Sequence, residues 1–326
     1  MYLPNEQLES LEVGNRFTAS LHYNKMVKRI LKEYPATDVL YLAFSHSFFL
    51  QSFMTKKGVH YSGILFDVYP YTYKEMSVKH KINAVLPYWL AVHNKWIKNI
   101  YYANDPSAVA YFNKIYKTNK FKYIPDPFVP ISTDFDVDKV LCDDVAKMEG
   151  KKVLLHFGAI RKNKGTIELL EAIKLIPDDI AKQLCFIVAG KVSSELHDAV
   201  YTLIKECSQK TTIIFHDEFC SFDYIAAACQ KSDYILMPYK YTSQSSGMYG
   251  YAAQFGVPVV AKNKNMTRKI VKREHLGILL DDVSPKGLAK FYESVPTLPK
   301  YIVSKNYVEK NTVDNFNNAI FTEIFK

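Results

Sequence analysis

Two short stretches of the chain, far apart in sequence, contain residue types that suit an anionic ligand. The first is "HFGAIRKNKG" (156–165), in which Arg161 and Lys164 precede a glycine and a helical segment. An arginine can hold a phosphate through two parallel hydrogen bonds, and a lysine adds a movable positive charge. The stretch therefore predicts a phosphate contact, although a solvated basic turn has the same composition.

The second stretch, "SQSSGMYGYAAQFGVPVVA" (243–261), predicts a loop, a helix over 248–255 and a buried strand. Ser245 and Ser246 are predicted to cap the helix, and Gly256 is predicted to end it. The start of such a helix offers unpaired backbone N–H groups and hydroxyl donors, which suit a phosphate. An ordinary capped helix in an α/β domain is the alternative.

Both stretches belong to a regular alternation of strands and helices over residues 149–295. Apolar segments such as "KKVLLHFG", "LCFIVAG" and "DYILMPY" alternate with helical segments such as "TIELLEAIKLI". Strands that are apolar throughout indicate a parallel sheet with both faces covered. Ligands of such doubly wound sheets bind at the carboxyl ends of the strands, where both stretches are expected to lie.

The length of 326 residues favours two domains. Residues 1–148 are predicted to form a first α/β domain that is more aromatic and less regular than the second. Asp105 and Pro106 are expected to begin one of its helices. A proline-rich exit leads to the second domain, and residues 296–326 are expected to return to the first domain as a helical segment.

Positive charge is concentrated in the first half of the chain. Between Gln51 and Lys122, eleven lysines stand against three acidic residues, a net charge of +8 within a total of +9. Trp89, Trp96 and several tyrosines lie among these lysines. Such a surface suits an anionic membrane or a phosphate-bearing acceptor, and solvated helix faces are the alternative. Nucleic acid is not expected as a partner, because no nucleic-acid-binding motif is present.

Five cysteines without paired spacing favour reduced thiols and a cytoplasmic protein. No signal peptide is recognisable, and no apolar run reaches the roughly 20 residues of a membrane-spanning helix. We therefore expect a cytoplasmic protein that could work at the inner face of a membrane.

Four segments together resemble the retaining nucleotide-sugar glycosyltransferases of the GT-B fold, family 4 (glycosyl transferases group 1). These are "FGAIRKNKG" (157–165), "FIVAGKV" (186–192), "SDYILMPY" (232–239) and "SSGMYGYAAQFGVPVVA" (245–261). The resemblance implies two doubly wound Rossmann-like domains facing a cleft. The N-terminal domain would be abbreviated, because only 35 residues precede the segment "ATDVLYLAF" and no glycine-rich loop lies among them.

The resemblance also implies a set of site residues. Arg161 and Lys164 would hold the donor diphosphate and stabilise it as it leaves, without a metal ion or a cofactor. The nucleotide would lie near the loop after "IIFHDEF" and the helix that begins near Ser246. The implied donor-binding positions are Gly158, Gly190, Ser243, Ser245, Ser246, Gly247, Met248 and Tyr251.

The chain departs from the family pattern at two places. The family carries two glutamates eight residues apart, where this chain has Ser243 and Tyr251; a tyrosine hydroxyl cannot accept two hydrogen bonds as an anion does. In the first half, "GILFDVYPY" has Phe66 in place of the family's histidine and keeps Asp67. Asp67 and His46 are the polar candidates near the acceptor.

We therefore expect a glycosyltransferase that moves a sugar from a nucleoside diphosphate donor to a saccharide or lipid-linked saccharide, in bacterial surface polysaccharide biosynthesis. The alternative is a catalytically inactive relative that binds a nucleotide or a glycan. A nicotinamide-dependent dehydrogenase is disfavoured, because no GxGxxG follows a strand.

Overall fold

The computed structural model describes residues 16–44, 48–66, 71 and 73–324. These residues form two compact units. The first contains the described residues up to Pro127 together with those from Val313 onward, and the second is Phe128–Thr312. The division after Pro127 lies within the predicted proline-rich exit, and the expected boundary after residue 148 stays a prediction. Phe128 is part of the second unit, where its ring packs against Tyr251 and its backbone N–H donates to the carbonyl of Asn311.

Within the described residues, the first unit has a four-stranded parallel sheet whose strands lie in chain order. Its strands are β1 (Asp38–Tyr41), β2 (His60–Leu65), β3 (Ile97–Ala103) and β4 (Phe121–Ile124). Its first helices are α1 (Arg16–Glu33), α2 (Phe48–Met54), α3 (Val78–His93) and α4 (Pro106–Tyr116). The side chain of Asp105 accepts from the backbone N–H of Ala108, so the predicted start of α4 is confirmed.

Aromatic side chains fill the core of the first unit. The ring of Phe112 stacks on those of Tyr88, Tyr102 and Phe121, with centroids about 5 Å apart. The hydroxyl of Tyr102 donates to that of Tyr88, which satisfies a buried polar group. Part of the high aromatic content of this half of the sequence is thus core packing, while other aromatic side chains, among them Trp89 and Tyr111, are exposed.

The second unit has a larger parallel sheet. Its strands are β5 (Lys152–Phe157), β6 (Leu184–Ala189), β7 (Thr212–His216), β8 (Tyr234–Met237), β9 (Val259–Lys262) and β10 (Gly277–Leu280). Within the described residues the order is β10-β9-β8-β5-β6-β7. The chain order reverses between β5 and β8, which is the feature of a doubly wound sheet that creates a ligand crevice beyond the carboxyl ends.

Helices cover both faces of this sheet, as the fully buried β6 requires. They are α5 (Val137–Leu141), α6 (Asp144–Met148), α7 (Thr166–Leu175), α8 (Asp178–Ala181), α9 (His197–Cys207), α10 (Phe222–Lys231), α11 (Met248–Phe255), α12 (Asn265–Arg273), α13 (Pro285–Ser294) and α14 (Asn306–Lys310). Short 3-10 turns lie at Tyr73–Glu75 in the first unit and at Ser194–Leu196 and Val295–Thr297 in the second.

The last helix, α15 (Val313–Ile324), belongs to the first unit. Its Ile320 is buried against Ile64 and Tyr101 of the sheet, and Glu323 lies 3.1 Å from the ammonium of Lys122. The α/β class with parallel sheets is confirmed in both units. None of the helices in the described ranges is both long and apolar enough to cross a membrane.

Candidate functional site

Two glycines bring the ends of three strands of the second unit together. Gly158 and Gly190 follow β5 and β6 with φ angles of +96° and +149°. A Cβ at Gly190 would lie 2.0 Å from the carbonyl oxygen of Gly158, so only a glycine fits there. The N–H of Gly158 donates to the carbonyl of Ala189, and that of Gly190 to the carbonyl of His216. The backbones after β5, β6 and β7 therefore form one continuous wall.

A cavity of about 220 Å³ lies at this wall. Four of the predicted donor-binding residues line it, namely Gly158, Gly190, Met248 and Tyr251. A Cβ at Gly158 would lie 3.2 Å from the Met248 methyl group, so α11 closes one side of the cavity. The loop after β7 closes another side with Glu218, Phe219 and Cys220. The cavity is mostly apolar with backbone groups at its edge, which is typical of small-molecule sites.

The basic loop after β5 lies against the loop after β8. The φ angle of Gly165 is +75°, and a Cβ there would lie 2.2 Å from the carbonyl oxygen of Pro238. The backbone N–H of Lys240 donates to the carbonyl of Asn163 at 2.9 Å. These contacts fix residues 161–165 to the segment that leads toward the serine-rich stretch.

Tyr239 links the two chemical motifs that the sequence analysis identified. The ammonium of Lys164 lies 4.0 Å from the centroid of the Tyr239 ring, a cation–π contact. Burial lowers the pKa of Lys164, and the neighbouring charge of Arg161 lowers it further. Ser246 lies beside the buried Tyr239 hydroxyl, which has no hydrogen bond of ordinary geometry within the described residues. Lys164 and Ser246 therefore both lie against Tyr239, the lysine over its ring and the serine at its hydroxyl, while the side chain of Arg161 is exposed.

A buried histidine, His156, forms hydrogen bonds next to the basic loop. The Nδ1 of His156 lies 3.0 Å from the carbonyl oxygen of Leu236, and its Nε2 lies 2.9 Å from the Thr166 hydroxyl. Burial lowers the pKa of His156 to about 4, so the ring is neutral near pH 7. A carbonyl can only accept, so Nδ1 carries the proton and Nε2 accepts from Thr166. His156 thus ties β5 and β8 to the first turn of α7.

Comparison with known proteins identifies the family. Residues 141–310, just over half of the 326-residue chain, match the model of the glycosyl transferases group 1. The chain belongs to this family. It is a glycosyltransferase with the GT-B fold.

Solved structures share this fold at low sequence identity. WaaG, a glycosyltransferase involved in lipopolysaccharide biosynthesis, has a TM-score of 0.66 and 15% identity, covering 96% of this chain and 84% of its own. HepE from Anabaena, solved with UDP, has a TM-score of 0.65 and 16% sequence identity. The match covers 90% of this chain and 78% of HepE. A UDP-forming trehalose-phosphate synthase from Burkholderia xenovorans has a TM-score of 0.69 and 12% sequence identity. The match covers 95% of this chain and 79% of the synthase. A search of curated proteins gave no match.

Ser243 and Tyr251, which the resemblance places where the family carries two glutamates, lie in different surroundings. Tyr251 lines the cavity, and its ring meets those of Phe128 and Phe157 edge to face at 5.3 and 5.2 Å. Burial raises the pKa of Tyr251, so its hydroxyl stays protonated at neutral pH. Ser243 lies half-buried in the loop before α11 and does not line the cavity.

The start of α11 lies within two residues of its predicted caps. Gly247 directly precedes Met248, and its backbone angles of −57° and −20° are already helical. The hydroxyl of Ser246, one residue earlier, accepts from the Met248 N–H at 3.4 Å, which is a long capping hydrogen bond. A cap by Ser245 stays a prediction. The helix span 248–255 and the left-handed Gly256 at its end are confirmed.

Asp217 is a supporting residue that the sequence analysis missed. One carboxylate oxygen accepts from the backbone N–H of Val192 at 2.8 Å, and the other accepts from the Tyr201 hydroxyl at 3.1 Å. The Val192 N–H chiefly holds the pKa of Asp217 below its usual range, with help from Lys191. Asp217 thereby joins the loops after β6 and β7, which form the cavity wall.

The two acceptor-side candidates, His46 and Asp67, lie outside the described residues. Within the described ranges, no group of three or more His, Cys, Asp or Glu side chains is arranged to hold a metal ion.

Proposed function

We propose that this glycosyltransferase transfers a sugar from a nucleoside diphosphate donor to a hydroxyl group of a saccharide or lipid-linked saccharide. The observation that carries the proposal is the cavity at the ends of β5, β6 and β7; Gly158, which lines it, begins the loop that leads to Lys164, and the ammonium of Lys164 lies on the ring of Tyr239. An apolar cavity accommodates a base and ribose, and an ammonium suits the diphosphate. UDP is the first candidate nucleotide, because the names of HepE and of the trehalose-phosphate synthase refer to it.

In the proposed reaction, the acceptor oxygen bonds to the anomeric carbon as the bond from that carbon to the diphosphate breaks. Negative charge then grows on the diphosphate. Lys164, Arg161 and the N–H groups at the start of α11 would stabilise this charge without a metal ion. Gly247 leaves open space at that helix start, which allows a phosphate to approach the backbone.

We assign the acceptor to the first unit, with Asp67 and His46 as its polar candidates. A role in bacterial surface polysaccharide biosynthesis is the biological setting we propose, since WaaG acts in lipopolysaccharide biosynthesis. A lipid-linked acceptor would bring the enzyme to the inner face of the membrane.

The test is release of nucleoside diphosphate from a panel of UDP-, GDP- and dTDP-sugars, with and without saccharide acceptors. We expect acceptor-dependent release from one donor, lost in Lys164→Ala and kept in the matched exposed variant Lys162→Ala. Binding of a donor without release across the panel would instead indicate a nucleotide-binding module, as the neutral Ser243 and Tyr251 would allow.

A further inference from the structure

Helix α3 of the first unit carries apolar side chains on a face that is open to solvent. Val78, Ile82, Leu86 and Trp89 expose 74%, 58%, 41% and 49% of their surfaces. Their spacing of four, four and three residues places them within about 80° of one another on an α-helix. We call these four residues the α3 ridge.

The α3 ridge lies opposite the buried face of the same helix. Pro87, Tyr88 and Ala91 are buried, and helical geometry puts their centre about 180° from the centre of the ridge. The inner face already supplies the packing that holds α3 on the sheet. The outer apolar residues are not among the buried core residues of the unit, and an exposed apolar stripe of this kind is typical of an interaction surface.

Positive charge surrounds the α3 ridge. Lys79 and Lys81 flank it on its two sides, and α3 itself contains no acidic residue. Over residues 73–98, five lysines stand against the single acid Glu75, a net charge of +4. An exposed tryptophan among lysines and aliphatic residues is the pattern of a helix that lies in a membrane interface.

We propose that the α3 ridge docks the protein on an anionic lipid surface, with Val78, Ile82, Leu86 and Trp89 entering the headgroup region and the flanking lysines facing lipid phosphates. Self-association through this face is disfavoured, because a symmetric dimer would bring the lysines of one copy against those of the other. The inference concerns a surface that none of the donor-site residues shares, so it does not depend on sugar transfer.

The first test is co-sedimentation with vesicles made of equal parts phosphatidylglycerol and phosphatidylcholine, against pure phosphatidylcholine. We expect binding to the anionic vesicles that falls steeply with salt, because exposed charges are screened over about 8 Å at physiological ionic strength. Ile82→Ser and Val78→Ser should each weaken binding on the order of tenfold through lost apolar burial. Ile302→Ser is the matched control, since Ile302 is 88% exposed in the second unit.

The second test uses tryptophan fluorescence, because the chain has only Trp89 and Trp96. In Trp96→Phe, the fluorescence emission of the remaining Trp89 should shift to shorter wavelength when anionic vesicles are added. In Trp89→Phe, the emission of the remaining Trp96 should not shift. No vesicle binding, or equal binding by Ile82→Ser and wild type, would overturn the proposal. Concentration-dependent dimerisation that Ile82→Ser abolishes would also overturn it, by assigning the ridge to a protein contact. Ile82→Ser should bind UDP as tightly as wild type does. A failure of the membrane proposal can therefore be told apart from a failure of the donor-site proposal.

Discussion

At the level of single residues, the position of Lys164 depends on Tyr239. The ring faces the ammonium at 4.0 Å, and the tyrosine hydroxyl is buried without an ordinary hydrogen bond in the described structure. The phenyl ring and the hydroxyl can therefore be separated by substitution.

We predict that Tyr239→Leu weakens binding of a nucleoside diphosphate about threefold to thirtyfold, because a cation–π contact of about 0.5–2 kcal/mol no longer holds Lys164 in place. Tyr239→Phe keeps the ring and should stay within about threefold of wild type. Isothermal titration with UDP and with uridine measures the effect, which should be absent for uridine. Equal losses in both variants would show that the hydroxyl, and not the ring, is what matters.

A second prediction at this scale concerns Asp217 and pH. Its pKa is depressed in the folded protein, so its ionised form contributes stability at pH values above the ordinary aspartate pKa of about 3.9. This contribution is lost as pH falls through the lower, folded-state pKa. Asp217→Asn should therefore be less stable than wild type at pH 7, and the difference should shrink in acid.

Urea unfolding at pH 7 and below pH 4 measures this difference in the free energy of unfolding. Asp198→Asn, at a fully exposed aspartate of α9, is the control and should change little at either pH. A destabilisation by Asp217→Asn that stays constant across this range would contradict the assignment.

Sequence patterns nominate some of the candidate residues and miss others. Arg161 and Lys164 are nominated by their residue types and by their spacing before a glycine, and their contact with a phosphate stays a prediction. Tyr239 and Asp217 are missed, because their partners Lys164 and Val192 are distant in the chain and meet them only after the sheet has formed. His156 interrupts an apolar strand, a signal that could have indicated a neutral, hydrogen-bonded imidazole.

At the level of elements, α11 shows how far local patterns extend. Its span and its end follow from the apolar spacing and from Gly256, which adopts φ of 68° as C-cap glycines do. Its start is less regular, because Gly247 takes helical angles and the Ser246 hydroxyl makes only a long hydrogen bond of 3.4 Å to the Met248 N–H. Serine preferences therefore locate the start of the helix to within one or two residues.

We predict that Gly247→Ala separates folding from binding. The backbone at Gly247 suits any residue, and a Cβ there meets no atom within 4 Å, so the free energy of unfolding should change by less than about 1 kcal/mol. UDP affinity should fall at least several-fold if a phosphate approaches this backbone, as proposed. Gly256→Ala is the converse control: its positive φ should cost about 1 kcal/mol of stability without a direct effect on UDP. Unchanged UDP affinity in Gly247→Ala would remove the helix start from the site.

At the level of the whole molecule, the two α/β units could be predicted from chain length and from the alternation of strands and helices. The division between the units, after Pro127, lies within the proline-rich exit that the sequence predicts, while the domain boundary after residue 148 stays a prediction. Strand order could not be predicted, since the pairing of β5 with β8 joins segments that are far apart in sequence. The match to the family model, over residues 141–310, lies within the second unit.

The central claim is that Lys164 and Ser246, which both lie against Tyr239, hold a single diphosphate. We predict that Lys164→Ala weakens UDP binding about ten- to a hundredfold, the effect of one charge-assisted contact worth roughly 1.5–3 kcal/mol, while uridine binding changes little. Ser246→Ala should cost less, about 0.5–1.5 kcal/mol, and the double variant should show a coupling above ~0.5 kcal/mol. Titration of UDP and uridine into wild type, both single variants, the double variant and the control Lys162→Ala is the decisive measurement. If folded Lys164→Ala binds UDP as tightly as wild type, the diphosphate site is not where this account places it.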